Sequence, residues 1–178
     1  DGWMDYGTTF MGNQPEEDLD PVTAGFNWAE YDLSSGFDDS NENFWEGSYK
    51  AIAYANMALK AMDEYNMTCR QADLARAEAR ISRAYNHFML LSTFTDMYYS
   101  NKASSPGIPY VEEPEEEVFK QYDRGTVAST LAKIEKDLYE ELGNVGVTAD
   151  YEQPKFRFTQ KAATAFAVRY NLFTRNYN

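Results

Sequence analysis

Trp3, Tyr6, Trp28 and Tyr31, with Asp38 and Asn41 close by, are the residue types in this chain best suited to hold a ligand. Indole and phenol faces are flat and apolar and lie against the C–H groups of a sugar ring, while carboxamides and carboxylates bond its hydroxyls. Residues 1 to 43 mix both kinds, adding Asp5, Asn13 and Asn27 to the polar set. Such chemistry retains a saccharide without making or breaking a bond. A second reading stays open at this point, in which Trp28 and Tyr31 seal a helical core.

The residues that would support catalysis or metal binding are sparse or unpatterned. His87 is the single histidine, which removes a Ser-His-Asp triad and any two-histidine metal site from within the chain. A lone histidine on a helix is read as structural. The 29 acidic residues contain no short motif that fixes two carboxylates across a glycosidic bond. Glu112 to Glu117 lack the spaced Asp/Asn ligands and central glycine of a calcium loop and are read as solvated. Cys69 stands alone, so neither an internal disulfide nor a multi-cysteine metal site is available. No enzymatic role, cofactor or metal is expected.

At 178 residues the chain is long enough for one domain that buries roughly 70% of its unfolded surface. Hydrophobic residues make up 43% and charged residues 25%, ordinary values for a folded protein. The net charge of -13 repels phosphates and excludes a nucleic-acid partner. No apolar run approaches the roughly 20 residues of a membrane span. The chain opens at Asp1-Gly2-Trp3 and stops at Tyr177-Asn178 directly after a helical pattern. It is therefore read as a piece of a longer protein.

Helices must position these groups. Residues 1 to 43 carry no sustained period and form a loop-rich aromatic segment, the candidate ligand face, ahead of helical repeats over 44 to 178. Trp45, Tyr49, Ile52, Asn56 and Leu59 fall on one stripe of a helix from about 42 to 65, with Ser40 or Asn41 as its cap and Asn66 as its stop. Thr68-Cys69-Arg70-Gln71 fits a capping box opening a second helix over 71 to 99, about 43 Å long. Its stripe is Leu74, Ala77, Ile81, Ala84, Phe88, Leu91 and Thr95, and Ser104 to Gly107 ends it.

Ile108-Pro109-Tyr110-Val111 reads as extended because proline disfavours helix in the residue before it. A third helix from Thr126 buries Val127, Leu131, Ile134, Leu138 and Leu142 and stops at Gly143-Asn144. A fourth from Thr159 presents Ala163, Phe166, Tyr170 and Phe173. Helix starts about 30 and 33 residues apart lie in the range of tetratricopeptide units. Ala53, Ala77, Ala84, Ala163 and Ala167 are small enough for close antiparallel pairs. The fold class is all-α.

In order, these segments resemble the SusD/RagB family of nutrient-binding outer-membrane lipoproteins. Trp45-x3-Tyr49-x2-Ile52-x3-Asn56-x2-Leu59 is similar to its first repeat helix, and Glu78-Ala79-x3-Arg83-Ala84-Tyr85-x2-Phe88 to its second. Pro106 to Tyr110 is similar to its glycine-Val/Ile-Pro turn, followed by Arg124-x-Thr126-Val127 and Ile134-x2-Asp137-Leu138. Phe158-Thr159-x2-Ala162-Ala163 with Arg169-Tyr170 completes the series. Ile81-Ser82 and Ser92 to Asp96 depart from the family pattern.

The resemblance implies a tetratricopeptide-like α/α superhelix with long loops, in a lipoprotein exposed at the outer-membrane surface of a Bacteroidota-type bacterium. It implies oligosaccharide capture, or peptide capture in some relatives, for polysaccharide utilization through a SusC-like TonB-dependent transporter. The lipid anchor would lie outside this chain. Arg83, Tyr85, Arg169 and Tyr170 match family motifs and are read as packing and hydrogen-bonding residues. The alternative function is a tetratricopeptide-like protein-interaction scaffold without a glycan role.

Overall fold

The computed structural model describes residues 41–96, 98, 102–115 and 120–177. Ser48–Asn178 forms one compact unit, and the account below concerns it together with the residues of the first helix that precede it. The described residues hold four α-helices and no strand: α1 Asn41–Glu64, α2 Arg70–Phe94, α3 Val127–Glu141 and α4 Gln160–Thr174. Two single 3-10 turns, Thr148–Asp150 and Pro154–Phe156, lie between α3 and α4. The fold is all-α, as the stripes require.

Side-chain pairs give the helix directions. Along α1, Tyr49, Asn56 and Asp63 meet His87, Arg83 and Arg76 of α2, so the two run antiparallel. Arg80 and Arg83 meet Glu141 and Asp137, which makes α3 antiparallel to α2. Tyr85 and Phe88 meet Phe166 and Phe173 in rising order, so α4 runs parallel to α2. This is the alternation of stacked helical hairpins.

The middle of each predicted stripe is buried, while Trp45, Tyr49, Leu59, Leu74, Thr95 and Leu142, toward the helix ends, are only half-buried. Ile52 and Asn56 of α1, Ala77, Ile81, Ala84, Phe88 and Leu91 of α2, and Val127, Leu131, Ile134 and Leu138 of α3 are all buried. Ala77, Ala84 and Ala163 have no exposed surface, and their lack of bulk lets neighbouring backbones approach. Ala53 is only half-buried, and Ala55 takes the inward position in α1.

Helix ends follow local chemistry. Asn66 has φ of 47° and turns the chain out of α1, while Met67 N–H donates to Met62 O at 3.0 Å. That turn keeps residue 67 on the end of α1; α2 begins at Arg70, one residue ahead of the expected 71, and the Thr68 capping box does not form. Cys69 is the N-cap and supplies no side-chain bond.

At its other end α2 stops at Phe94, short of the expected residue 99 and well before Ser104. The hydroxyls of Thr93 and Thr95 donate to Met89 O and Leu91 O at 2.9 and 2.7 Å, a local alternative to continuing the helix. The 25 residues of α2 span about 38 Å. In α3 a true capping box exists: Thr126 Oγ1 accepts from Ser129 N–H at 3.1 Å, and Ser129 Oγ accepts from Thr126 N–H at 2.9 Å.

Residues 107–113 cross the three helices α1 to α3 without helical structure. Gly107 is required by close approach, since a Cβ there would lie 2.6 Å from Thr130 Oγ1 and 2.7 Å from Thr126 O. Beyond it, helix side chains hold the backbone. Tyr49 Oη donates to Pro109 O at 2.8 Å, Asn56 Nδ2 to Val111 O at 3.0 Å, and Arg83 Nη1 to Glu112 O at 3.0 Å.

Arg83 is the junction. Its Nε and Nη2 bond the two carboxylate oxygens of Asp137 at 2.6 and 2.8 Å, and its Nη1 also bonds Asn56 Oδ1 at 2.9 Å. Tyr110 Oη donates to the same carboxylate at 2.6 Å. Burial alone would lower the Arg83 pKa, but the hydrogen bonds and charge of Asp137 outweigh it and hold the group above its ordinary value. Burial, then the Asp137 charge, pushes the Tyr110 phenol up.

His87 sits beneath this junction, stacked on Tyr110 with ring centroids 3.9 Å apart. Val111 N–H donates to Nε2 at 3.0 Å, so the ring proton is on Nδ1 and is donated to Arg83 O at 2.9 Å. Burial lowers the His87 pKa to about 3 from 6.5, and the nearby Arg83 and Lys133 charges act in the same direction.

Two expectations follow. Asp137→Ala leaves the Arg83 guanidinium buried without its partner and should cost about 3–5 kcal/mol in a urea titration; a loss under about 1 kcal/mol would remove this pair from its central place. Because the unfolded His87 binds a proton below about pH 6.5 and the folded one does not until about pH 3, stability rises with pH across that window. The histidine contribution is full above pH 6.5 and lost on acidification, at up to about 1.4 kcal/mol per pH unit. A urea midpoint that stays constant between pH 7 and pH 4 would contradict a neutral, doubly bonded His87.

Candidate functional site

Of the ligand-facing residues expected from sequence, Trp3, Tyr6, Trp28, Tyr31 and Asp38 lie outside the described residues. Asn41 is the first residue of α1 and is exposed.

The motif residues of the repeat helices take structural positions. Arg83 and Asp137 are buried in the junction. Tyr85 is half-buried, with its ring 5.5 Å from Phe158 and 5.3 Å from Phe166. Tyr170 is buried and donates to Leu131 O at 3.2 Å, and burial followed by the Glu135 charge raises its pKa. Arg169 is exposed and bonds the Met89 sulfur at 3.8 Å. Three of the four are packing residues, and Arg169 packs only at the surface.

Above the junction lies a groove of about 630 Å³, within the size range of small-molecule sites. Asn56, Leu59, Arg80, Arg83, Glu112 and Pro114 are among the residues that line it. Its polar groups are largely committed to one another. Asn56 and Arg83 bond the chain and each other as described, Glu112 pairs with Lys133 at 2.9 Å, and Arg80 pairs with Glu141 at 2.9 Å. The groove therefore offers a wall whose deep charges are paired with one another. Sequence reading missed it because only the tertiary crossing of residues 112–114 over α1 creates it. The one signal in the sequence was an asparagine, Asn56, on an otherwise apolar and aromatic stripe.

Among the described residues no group of three or more His, Cys, Asp or Glu side chains is placed to hold a metal ion. No described helix is long and apolar enough to cross a membrane.

The SusD-like family model described as "Starch-binding associating with outer membrane" matches residues 10–172. No curated protein matches the sequence. Solved structures share the fold at low identity. A protein described as a putative sugar binding protein from Bacteroides vulgatus ATCC 8482 is 21% identical at a TM-score of 0.69, over 84% of this chain and 32% of that one. A SusD superfamily protein from Bacteroides thetaiotaomicron VPI-5482 is 22% identical at 0.61, over 75% and 28%. A laminarin binding SusD-like protein is 24% identical at 0.58, over 74% and 26%. The chain thus spans about a third or less of the length of these structures. With the family model covering nearly all of the stretch that forms these helices, and the same helical arrangement in each of these structures, the chain belongs to the SusD-like family.

Proposed function

We propose that this chain is the tetratricopeptide-like part of a surface-exposed lipoprotein that captures oligosaccharide for import through a SusC-like TonB-dependent transporter. The observation that carries the reading is the family match over residues 10–172, whose description is starch binding with outer-membrane association. The names of the similar structures, among them a laminarin binding protein and a putative sugar binding protein, agree with it.

The junction supports the same assignment by elimination. Arg83, Asp137, Tyr110 and His87 are the chemically capable groups of the helical unit, and each is consumed by holding the chain together. Ligand contact is assigned instead to the segment ahead of α1, with Trp3, Tyr6, Trp28 and Tyr31 as ring platforms and Asp38 and Asn41 orienting hydroxyls. No bond is made or broken, and the lipid that anchors the protein lies outside this chain.

Trp28→Ala should weaken glycan retention about tenfold while circular dichroism shows unchanged helix content; loss of helix content would assign Trp28 to the core. Affinity purification of the full-length protein from its native membrane should bring down a large β-barrel transporter. A soluble peptide or protein partner in its place would favour the interaction-scaffold reading.

A further inference from the structure

The 3-10 turn Pro154–Phe156 carries the most exposed large apolar side chain of the described residues, Phe156, at 84%. The turn is not loosely held. Arg157, the next residue, places Nε 2.8 Å from Glu78 Oε1 on α2 and bonds Oε2 through Nη2. Phe158 N–H donates to the same Oε1 at 3.0 Å. Arg157 also lies over the Tyr151 ring at 5.0 Å, and the Phe158 ring packs on Tyr85. The base of the turn is thereby fixed to α2 while its tip projects into solvent. Rigid, projecting aromatics bind at low entropic cost.

Charge at this place opposes that of the whole molecule. Residues 152–161, Glu-Gln-Pro-Lys-Phe-Arg-Phe-Thr-Gln-Lys, contain three cations and one acid, Glu152, in a chain of net charge -13. Arg157 is spent on Glu78, but Lys155 and Lys161 are exposed and pair with no carboxylate among the described residues. Gln153 and Gln160 are exposed beside them. The groove above Arg83 differs, since its Arg80, Arg83 and Glu112 are each paired and no aromatic ring lines it.

We infer that the turn around Phe156 is a contact for an anionic saccharide, with the phenyl ring against a sugar face, Lys155 and Lys161 facing carboxylate or sulfate groups, and the glutamine amides meeting hydroxyls. An acidic protein repels a polyanion over most of its surface, so it can hold one only at a local cationic site. A neutral glycan could accept hydrogen bonds from the two lysines, but only an anionic one adds charge–charge attraction to them. This inference rests on the saccharide-capture reading and names an acidic class of ligand within it.

Affinity electrophoresis of the full chain through gels containing polygalacturonate, dextran sulfate or soluble starch tests it. Retention by at least one of the two anionic polymers is expected, with the pair distinguishing carboxylate from sulfate. Phe156→Ala, and separately Lys155→Gln with Lys161→Gln, should each weaken anionic retention about tenfold. All three side chains are exposed, so folding is expected to survive, and retention by starch should be unchanged. Retention by starch alone, or anionic retention indifferent to both variants, overturns the Phe156 contact and leaves saccharide capture standing. Retention by none of the three polymers counts against both.

Discussion

The buried pair between Arg83 and Asp137 is the interaction on which the described structure depends. Two side-chain hydrogen bonds join α2 to α3, a third from Arg83 reaches Asn56 of α1, and a fourth reaches the backbone at Glu112. Taking two charges out of water is costly, and a pair of this kind is retained where its geometry is complete and its remaining donors are satisfied. Here four of the five guanidinium N–H groups are bonded, with Asn56 and Glu112 on the outer nitrogen, and Tyr110 adds a bond to the carboxylate. Ordinary apolar stripes would allow three helices to slide along one another. A fork that fits one carboxylate and one amide fixes their register.

That constraint divides the molecule into a part that holds shape and a part left to bind. His87 and Tyr110 complete the junction, and the segment from Gly107 to Glu113 is laid across the helices by Tyr49, Asn56, Arg83 and His87 in turn. Groups that would read as catalytic in a cleft are buried and bonded within the junction, which suits a rigid platform for sites placed elsewhere. The exposed aromatic at Phe156 shows the same arrangement on a smaller scale, with a charged clamp at the base and an unencumbered ring at the tip.

Much of the scaffold was legible in the residues. The spacing of Ile52 and Asn56, of Ala77, Ile81, Ala84 and Phe88, and of Val127, Leu131, Ile134 and Leu138 gives helices and buried faces directly, because periodicity is local information. A lone histidine and a motif arginine were legible as structural in kind, but not in partner. The Arg83–Asp137 distance depends on how α2 and α3 cross, and nothing within either helix states it. Helix ends were the weaker part. Thr93 and Thr95 turn their hydroxyls onto α2 carbonyls and end it early, and the turn at Asn66 displaces the Thr68 cap, outcomes decided by competition among nearby hydrogen bonds. The groove over Arg83 was illegible because its two sides come from segments distant in sequence.

Amide hydrogen exchange of the full-length protein, with and without a retained oligosaccharide, tests most directly the claim that the helices are a platform and the ligand lies off them. The account predicts new protection within residues 1–43, and at residues 153–161 when the saccharide is anionic, with α1 to α3 and the junction at Arg83 unchanged. Protection concentrated on the groove lined by Asn56, Arg83 and Glu112, with none in residues 1–43, would contradict it.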